Sequence, residues 1–143
     1  MKKLLLLSAL FIFACSSDDS NDNSNGTFLE RFDGVVWEGA LNNNSLVIID
    51  NDNFSFKYVI NGNCQVVYLD VYNENIEGGF NVIVNNYNKL VLDRFDENNN
   101  ITSRSTTIPS TDENSLIETV EDYADNTETS SSVFRTTLID PCN

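Results

Sequence analysis

The side chains able to do chemistry in this chain are three cysteines and 22 aspartates and glutamates. The sequence contains no histidine, which excludes histidine-based acid–base catalysis, the Ser-His-Asp triad and imidazole ligation of a metal. It also has no glycine-rich phosphate-binding loop and no nucleophile paired with a base. We therefore expect a protein that is not an enzyme and that carries no cofactor.

The carboxylates fall into short clusters whose members could act together. Carboxylate pairs are the catalytic groups of glycosidases, and oxygen-only clusters bind calcium. The clusters are Asp50 with Asp52, Asp93 with Asp96 and Glu97, and Glu118 with Glu121 and Asp122. Because 22 acidic residues in a chain of 143 must cluster somewhere, we interpret them as solvating a β-surface and predict no metal site.

The first cysteine, Cys15, follows a short apolar segment at the start of the chain. Lys2 and Lys3 precede an apolar run, Leu4–Ala14, in which Ser8 is the one polar residue; the run is shorter than the roughly 20 residues of a membrane-spanning helix. Residues 12–15, Ile-Phe-Ala-Cys, resemble the lipobox of bacterial lipoproteins. The resemblance implies that residues 1–14 are a signal peptide cleaved before Cys15. It also implies that the Cys15 thiol carries a diacyl anchor built from fatty acids such as palmitate.

Residues 15–26 are small, polar or acidic throughout. They cannot bury enough apolar surface to offset chain entropy, so we predict a disordered tether. The acidic pair Asp18–Asp19 also resembles the export signal that sends some lipoproteins to the outer face of the outer membrane, and a plain spacer is the alternative. The resemblance implies a protein anchored by lipid at the cell surface.

The chain is strongly acidic, with a formal net charge of -14 and only 8 lysines and arginines. Such a surface repels nucleic-acid phosphates and anionic lipid headgroups. We therefore predict no nucleic-acid partner, attachment to the membrane only through the N-terminal lipid, and a monomer in solution.

Residues 27–143 are predicted to form one β-domain with a short helix at its start. Thr27–Glu30 has the form of a capping box, and Gly34 could end the helix. Short apolar or alternating runs separated by Asn, Asp and Gly then predict nine antiparallel strands. The predicted strands are Val35–Ala40, Ser45–Asp50, Asn53–Ile60, Cys64–Tyr72, Phe80–Asn85, Lys89–Phe95, Ile101–Ile108, Leu116–Tyr123 and Ser130–Ile139.

Two local segments bear on this strand count. Asn61–Gly62 predicts a type I′ hairpin turn between the third and fourth strands. In the eighth segment, Leu116, Val120 and Tyr123 have helical spacing, whereas the β-branched and aromatic residues and the flanking turns favour a strand. We predict a strand there.

So many hairpins with so little helix predict an all-β, antiparallel up-and-down meander. We expect it to close as a small barrel, because an open sheet leaves reactive edges. The layout resembles lipocalin-like domains of bacterial lipoproteins, in which a short helix precedes a glycine and a tryptophan at the first strand; the matching residues are Asp33–Trp37. In that family the tryptophan packs across the closed end of the barrel. The resemblance implies the same structural role for Trp37.

Cys64 and Cys142 remain as a pair once Cys15 is lipidated. In an oxidising compartment such a pair forms a disulfide by default. Strand direction supports the pairing, because all odd-numbered strands of an up-and-down meander run the same way. Cys64, at the start of the fourth strand, and Cys142, after the ninth, would then lie at the same end of the barrel.

Five aromatic residues of the third and fourth strands are candidates to line a ligand cavity. They are Phe54, Phe56, Tyr58, Tyr68 and Tyr72. The alternative is that aromatic side chains fill a small barrel completely. An open interior predicts a lipocalin-like protein that binds a small apolar or amphipathic ligand. A filled interior predicts a surface-displayed interaction or adhesion module without a small-molecule ligand.

Overall fold

The computed structural model of the chain describes residues 25–39, 45–71 and 78–142. The predicted signal peptide (1–14), the predicted lipidation site Cys15 and most of the predicted tether (15–26) lie outside the described residues, and so does Tyr72. Among the residues described, no helix is long and apolar enough to cross a membrane.

Nine strands and one short helix make up the described part of the domain, which confirms the prediction of an all-β chain with a short helix at its start. They are α1 Phe28–Arg31, β1 Val36–Gly39, β2 Ser45–Asp50, β3 Ser55–Ile60, β4 Asn63–Tyr68, β5 Phe80–Asn86, β6 Lys89–Phe95, β7 Ile101–Pro109, β8 Ser115–Asp122 and β9 Thr127–Arg135. The segment with helical spacing, Leu116–Tyr123, lies almost entirely in β8. The strand prediction for it is therefore confirmed.

The strands form one antiparallel sheet in the order β4-β3-β2-β1-β9-β8-β7-β6-β5. Strands that follow each other in the chain are neighbours in the sheet, except β4 and β5, so the predicted meander is confirmed. The first strand also pairs with the last, with Trp37 opposite Arg135. The whole sheet curls into a half-barrel whose two edges are β4 and β5.

The two edge strands of this sheet run in the same direction. β1 and β9 are antiparallel, and alternation along each arm of the sheet then makes β4 and β5 run in the same direction. A ring of nine strands cannot alternate at every junction, because nine is odd. In the described residues no backbone ladder joins β4 to β5; instead, Asp70 Oδ1 accepts a hydrogen bond of 2.6 Å from the backbone N–H of Val82. Closure as a complete barrel therefore stays a prediction.

Two strands have an end that differs from the predicted one by three or more residues. β4 stops at Tyr68, where the prediction runs to Tyr72, because Asp70 has a positive φ of 57° that ends the extended conformation. β9 covers residues 127–135 rather than 130–139, because the chain leaves the sheet after Arg135.

The concave face of the half-barrel holds the main hydrophobic core, and α1 packs against it. The helix begins with the predicted capping box, in which Thr27 Oγ1 accepts a hydrogen bond from the Glu30 N–H and the Glu30 carboxylate accepts one from the Thr27 N–H. Phe28 and Leu29 of this helix are fully buried. Trp37 is also fully buried, with its ring edge-on to Phe32 at a centroid distance of 5.6 Å.

Arg31 joins the helix to two turns of the sheet. Its Nη1 donates a hydrogen bond of 2.9 Å to the backbone oxygen of Tyr87, in the β5–β6 turn. Its Nη2 lies 2.7 Å from Glu113 Oε1, in the β7–β8 turn. The guanidinium is also 3.9 Å from the centre of the Tyr87 ring. The helix is thereby fixed over the end of the half-barrel at which these two turns lie.

The residues after β9 cross the outer face of β1–β3 and complete a second, smaller core. Val36, Ile48 and Val59 are buried on this face, and Cys142 packs against them. Lys57, on the same face, lies 3.2 Å from Asp50 and 3.4 Å from Asp140. The hydrogen bond to Asp50 raises the pKa of Lys57 above its ordinary value. Both faces of β1–β3 are therefore covered.

The predicted disulfide between Cys64 and Cys142 is confirmed, with Cα atoms 5.8 Å apart. The strand-direction argument for it is wrong, because β9 runs antiparallel to β1. The ninth strand therefore ends away from Cys64, and residues 136–142 carry Cys142 back across the outer face to β4.

Candidate functional site

A cavity of about 120 Å³ lies on the concave side of the half-barrel. Most of its lining is apolar and comes from α1 and from strands on both arms of the sheet. The apolar lining consists of Phe28, Val47, Ile49, Phe56, Phe80, Leu90, Leu92, Leu116 and Val133. Alternation explains most of this set, since every second residue of a strand points to the concave face. The interior therefore combines a packed core with a cavity.

Four polar side chains also line the cavity: Tyr58, Ser105, Thr107 and Glu118. Thr107 and Glu118 lie directly opposite each other on β7 and β8, and Ser105 is two residues along β7 on the same face. Ser105 Oγ donates a hydrogen bond of 2.5 Å to Glu118 Oε1. These two strands thus place a carboxylate and two hydroxyls in an otherwise apolar lining.

Tyr58 faces the same space from β3. Burial raises the pKa of its hydroxyl, and the negative charge of Glu118 raises it further. The phenol therefore stays protonated at physiological pH and can donate or accept a hydrogen bond. Its ring packs edge-on against Phe56, with centroids 6.2 Å apart.

The arrangement can hold a molecule that is apolar over most of its surface and polar at one point. Apolar side chains supply most of the contact area in such sites, and a few polar groups set the orientation. Among the residues that the structure describes, no group of three or more His, Cys, Asp or Glu is placed to hold a metal ion.

The fold separates the carboxylate clusters of the sequence. Glu118 faces the cavity, whereas alternation along β8 puts Glu121 on the opposite face. Asp93 is buried and receives two hydrogen bonds, of 2.7 and 2.8 Å, from Arg104 on the neighbouring strand. Asp96 accepts hydrogen bonds from backbone N–H groups of the β6–β7 turn. Asp93, Asp96 and Glu118 thus have separate local contacts.

The structure brings together two of the five aromatic residues predicted to line a cavity, Phe56 and Tyr58. Phe54 packs against the main core outside the cavity lining. Tyr68 does not line this cavity, because alternation along β4 directs it to the outer face, where it is 49% exposed. Tyr72 lies outside the described residues.

Sequence reasoning missed Glu118, Ser105 and Thr107 as cavity residues. For Glu118 a signal existed: once its segment is a strand, alternation puts Glu118 on the same face as the apolar Leu116. β7 offers no such signal, because most of its residues are polar on both faces. Its inward side is fixed only by pairing with β6 and β8.

A second hollow, of about 190 Å³, lies at the surface where the end of β4 approaches β5. Its lining includes Val71, the last residue described before the gap at residues 72–77. Its one carboxylate, Asp70, already accepts a hydrogen bond from the Val82 N–H. The hollow is also more open to solvent than the internal cavity. The internal cavity is therefore the better candidate for a ligand-binding site.

Scans against protein-family models, curated proteins and solved structures found no match for this chain.

Proposed function

We propose that this protein is a lipid-anchored lipoprotein of the outer membrane, facing the cell exterior, whose lipocalin-like β-domain holds a small apolar or amphipathic ligand. The observation that carries the ligand-binding part of the proposal is the cavity inside the half-barrel, with nine apolar side chains and one carboxylate among its described lining residues. The anchoring part rests on the lipobox-like residues 12–15 and on the acidic pair Asp18–Asp19. The proposed role is binding, not catalysis. The predicted tether would let the domain extend away from the membrane surface.

The cavity volume limits the part of the ligand that can enter. Apolar protein cavities of about 150 Å³ bind benzene, and this one measures about 120 Å³. It therefore accepts a chain of about four carbons, or part of a ring. Burial of that group stabilises the complex by roughly 0.8 kcal/mol for each methylene.

Filling the cavity tests whether it is the ligand site. Val133→Phe adds a ring at a partly buried position of the lining. Binding of the water-soluble probe 1-butanol should then weaken at least about tenfold, because two or more methylenes lose their burial. Protein-observed NMR titration gives the dissociation constants.

Ile101→Phe is the matched control for this variant, because it adds a similar ring at an exposed position of β7. It should bind 1-butanol as the unmodified protein does. If Val133→Phe also binds 1-butanol with unchanged affinity, the cavity is not the ligand site.

Cys15→Ser is expected to release the protein from the membrane, because the proposed lipid is attached to the Cys15 thiol. After a high-salt wash, the unmodified protein should sediment with membranes and the variant should stay in the supernatant. Ser16→Ala, one residue further along, is the control and should sediment. Persistence of the Cys15→Ser protein in the washed membranes would place the anchor elsewhere.

A surface-displayed interaction or adhesion module is the second candidate function. The observation that favours it is an outer apolar patch made of Ile108, Ile117 and Phe134 on β7–β9, whose side chains are 41%, 37% and 50% exposed. Exposed patches of this kind can mark protein contacts. In that function the outer face makes the contact, so Val133→Phe leaves the function intact.

A further inference from the structure

Among the described residues that line the cavity, Glu118 has the only charged side chain. Its Oε1 accepts a hydrogen bond from Ser105. Within the described residues, its Oε2 has no hydrogen-bond partner, and no lysine or arginine forms an ion pair with either oxygen. The carboxylate thus faces an apolar space with one neutral partner.

Glu118 is partly buried, and a ligand that fills the cavity removes further water from its carboxylate. Charged groups inside proteins are normally paired or fully hydrogen-bonded. Two basic side chains on the surrounding elements pair with other carboxylates: Arg104 with Asp93, and Arg31 with Glu113. A cationic molecule that enters the cavity would give Glu118 a partner of opposite charge.

The hydroxyls near Glu118 complete a set of acceptors for an ammonium group. An ammonium carries three N–H donors and no acceptor. Glu118, Thr107 and Tyr58 line the same cavity, and the oxygen atoms of their side chains can each accept a hydrogen bond. Burial, and then the negative charge of Glu118, raise the pKa of Tyr58.

We infer that the ligand of this cavity is a small organic amine, with its ammonium group at Glu118 and a short apolar tail among the surrounding apolar side chains. The inference rests on the proposed ligand-binding function. A short fatty acid would instead place its carboxylate against Glu118, in a protein whose formal net charge is -14. Repulsion between like charges disfavours that class of ligand.

The test compares three four-carbon probes on the full-length protein at pH 7: butylamine, 1-butanol and butyrate. Butylamine is protonated at this pH, like a lysine side chain with its pKa of about 10.4. A charged hydrogen bond to Glu118 should make butylamine bind at least about 10-fold more tightly than 1-butanol. Butyrate should bind more weakly than both, and NMR titration measures all three dissociation constants.

Glu118→Gln keeps the size of the side chain and removes its charge, so the preference for butylamine over 1-butanol should disappear. Glu121→Gln is the matched control, because it removes the same charge from the opposite face of β8 and should keep the preference. Emission from Trp37, the one tryptophan of the chain, shows whether each variant is folded. If Glu118→Gln does not fold, the three-probe comparison on the unmodified protein decides.

The outcomes separate this inference from the proposed function on which it rests. Equal binding of butylamine and 1-butanol by the unmodified protein overturns the amine inference and leaves the ligand-binding function in place. A preference that persists in folded Glu118→Gln also overturns it, because overall acidity would then be the cause. Failure of all three probes to bind overturns both.

Discussion

Replacing Cys64 and Cys142 together with alanine is expected to lower the free energy of unfolding by about 4.5 kcal/mol. The disulfide joins residues 78 positions apart, and the chain-entropy model gives a loss of this size for a loop of this length. The bond also holds the last residues over the outer face of β1–β3, where Val36 and Ile48 are buried. Urea unfolding followed by circular dichroism measures the change.

A reducing agent provides a second measurement of the same effect. Dithiothreitol should lower the urea midpoint of the unmodified protein to that of the double variant and leave the double variant unchanged. Lys57→Met is the control, because it removes the ion pair with Asp140 and keeps the disulfide. Its free energy of unfolding should fall clearly less than that of the double cysteine variant. Two reactive thiols at Cys64 and Cys142 in oxidised protein would contradict the bond.

Trp37→Ala is expected to cost about 3–5 kcal/mol of folding stability, the range for removing a buried aromatic ring. Trp37 is fully buried and packs edge-on against Phe32, directly after α1. Without the indole, α1 covers a void at this end of the half-barrel. The urea midpoint by circular dichroism gives the loss, and blue-shifted emission of the unmodified protein should report the buried ring.

Trp37→Phe is the matched control. It keeps much of the apolar contact and removes an indole N–H that is buried without a hydrogen-bond partner among the described residues. Its loss of stability should be much smaller than that of Trp37→Ala. A loss below about 1 kcal/mol in Trp37→Ala, within reach of ordinary surface substitutions, would show that Trp37 has no structural role.

Most strands could be predicted because the turns between them use residues with strong backbone preferences. Asn61 and Gly62 have positive φ values of 51° and 78°, as the predicted type I′ turn requires. The eighth strand was predicted correctly for a similar reason. Its neighbours in the sequence are turns, and their spacing suits a strand better than a helix.

The direction of β5 relative to β4 could not be predicted in this way. The link between them, residues 69–79, is longer than a hairpin turn, so local residue types do not fix whether the chain reverses direction. Assuming a reversal at every junction makes β9 parallel to β1, whereas the structure pairs them antiparallel. The disulfide prediction is therefore right in its residues and wrong only in its strand-direction argument.

The cavity could be predicted only in part, because the inward side of each strand depends on how the whole sheet curls. Phe56 and Tyr58 alternate with polar residues along β3, which indicates a buried face. The next strand is apolar on both faces and gives no such indication. There the structure buries Val67 and leaves Tyr68 exposed.

β1 pairs with β2 along one edge and with β9 along the other. The second edge therefore has no partner strand until the ribosome has made β9. The first four strands can pair with one another earlier, but the outer face of β1–β3 is covered only when residues 136–142 arrive. Sheets whose contacts join distant parts of the chain fold slowly, typically in milliseconds to seconds. A nascent chain that stops before Val133 exposes a strand edge able to pair with other chains. This edge of β1 is therefore protected only once β9 has been made.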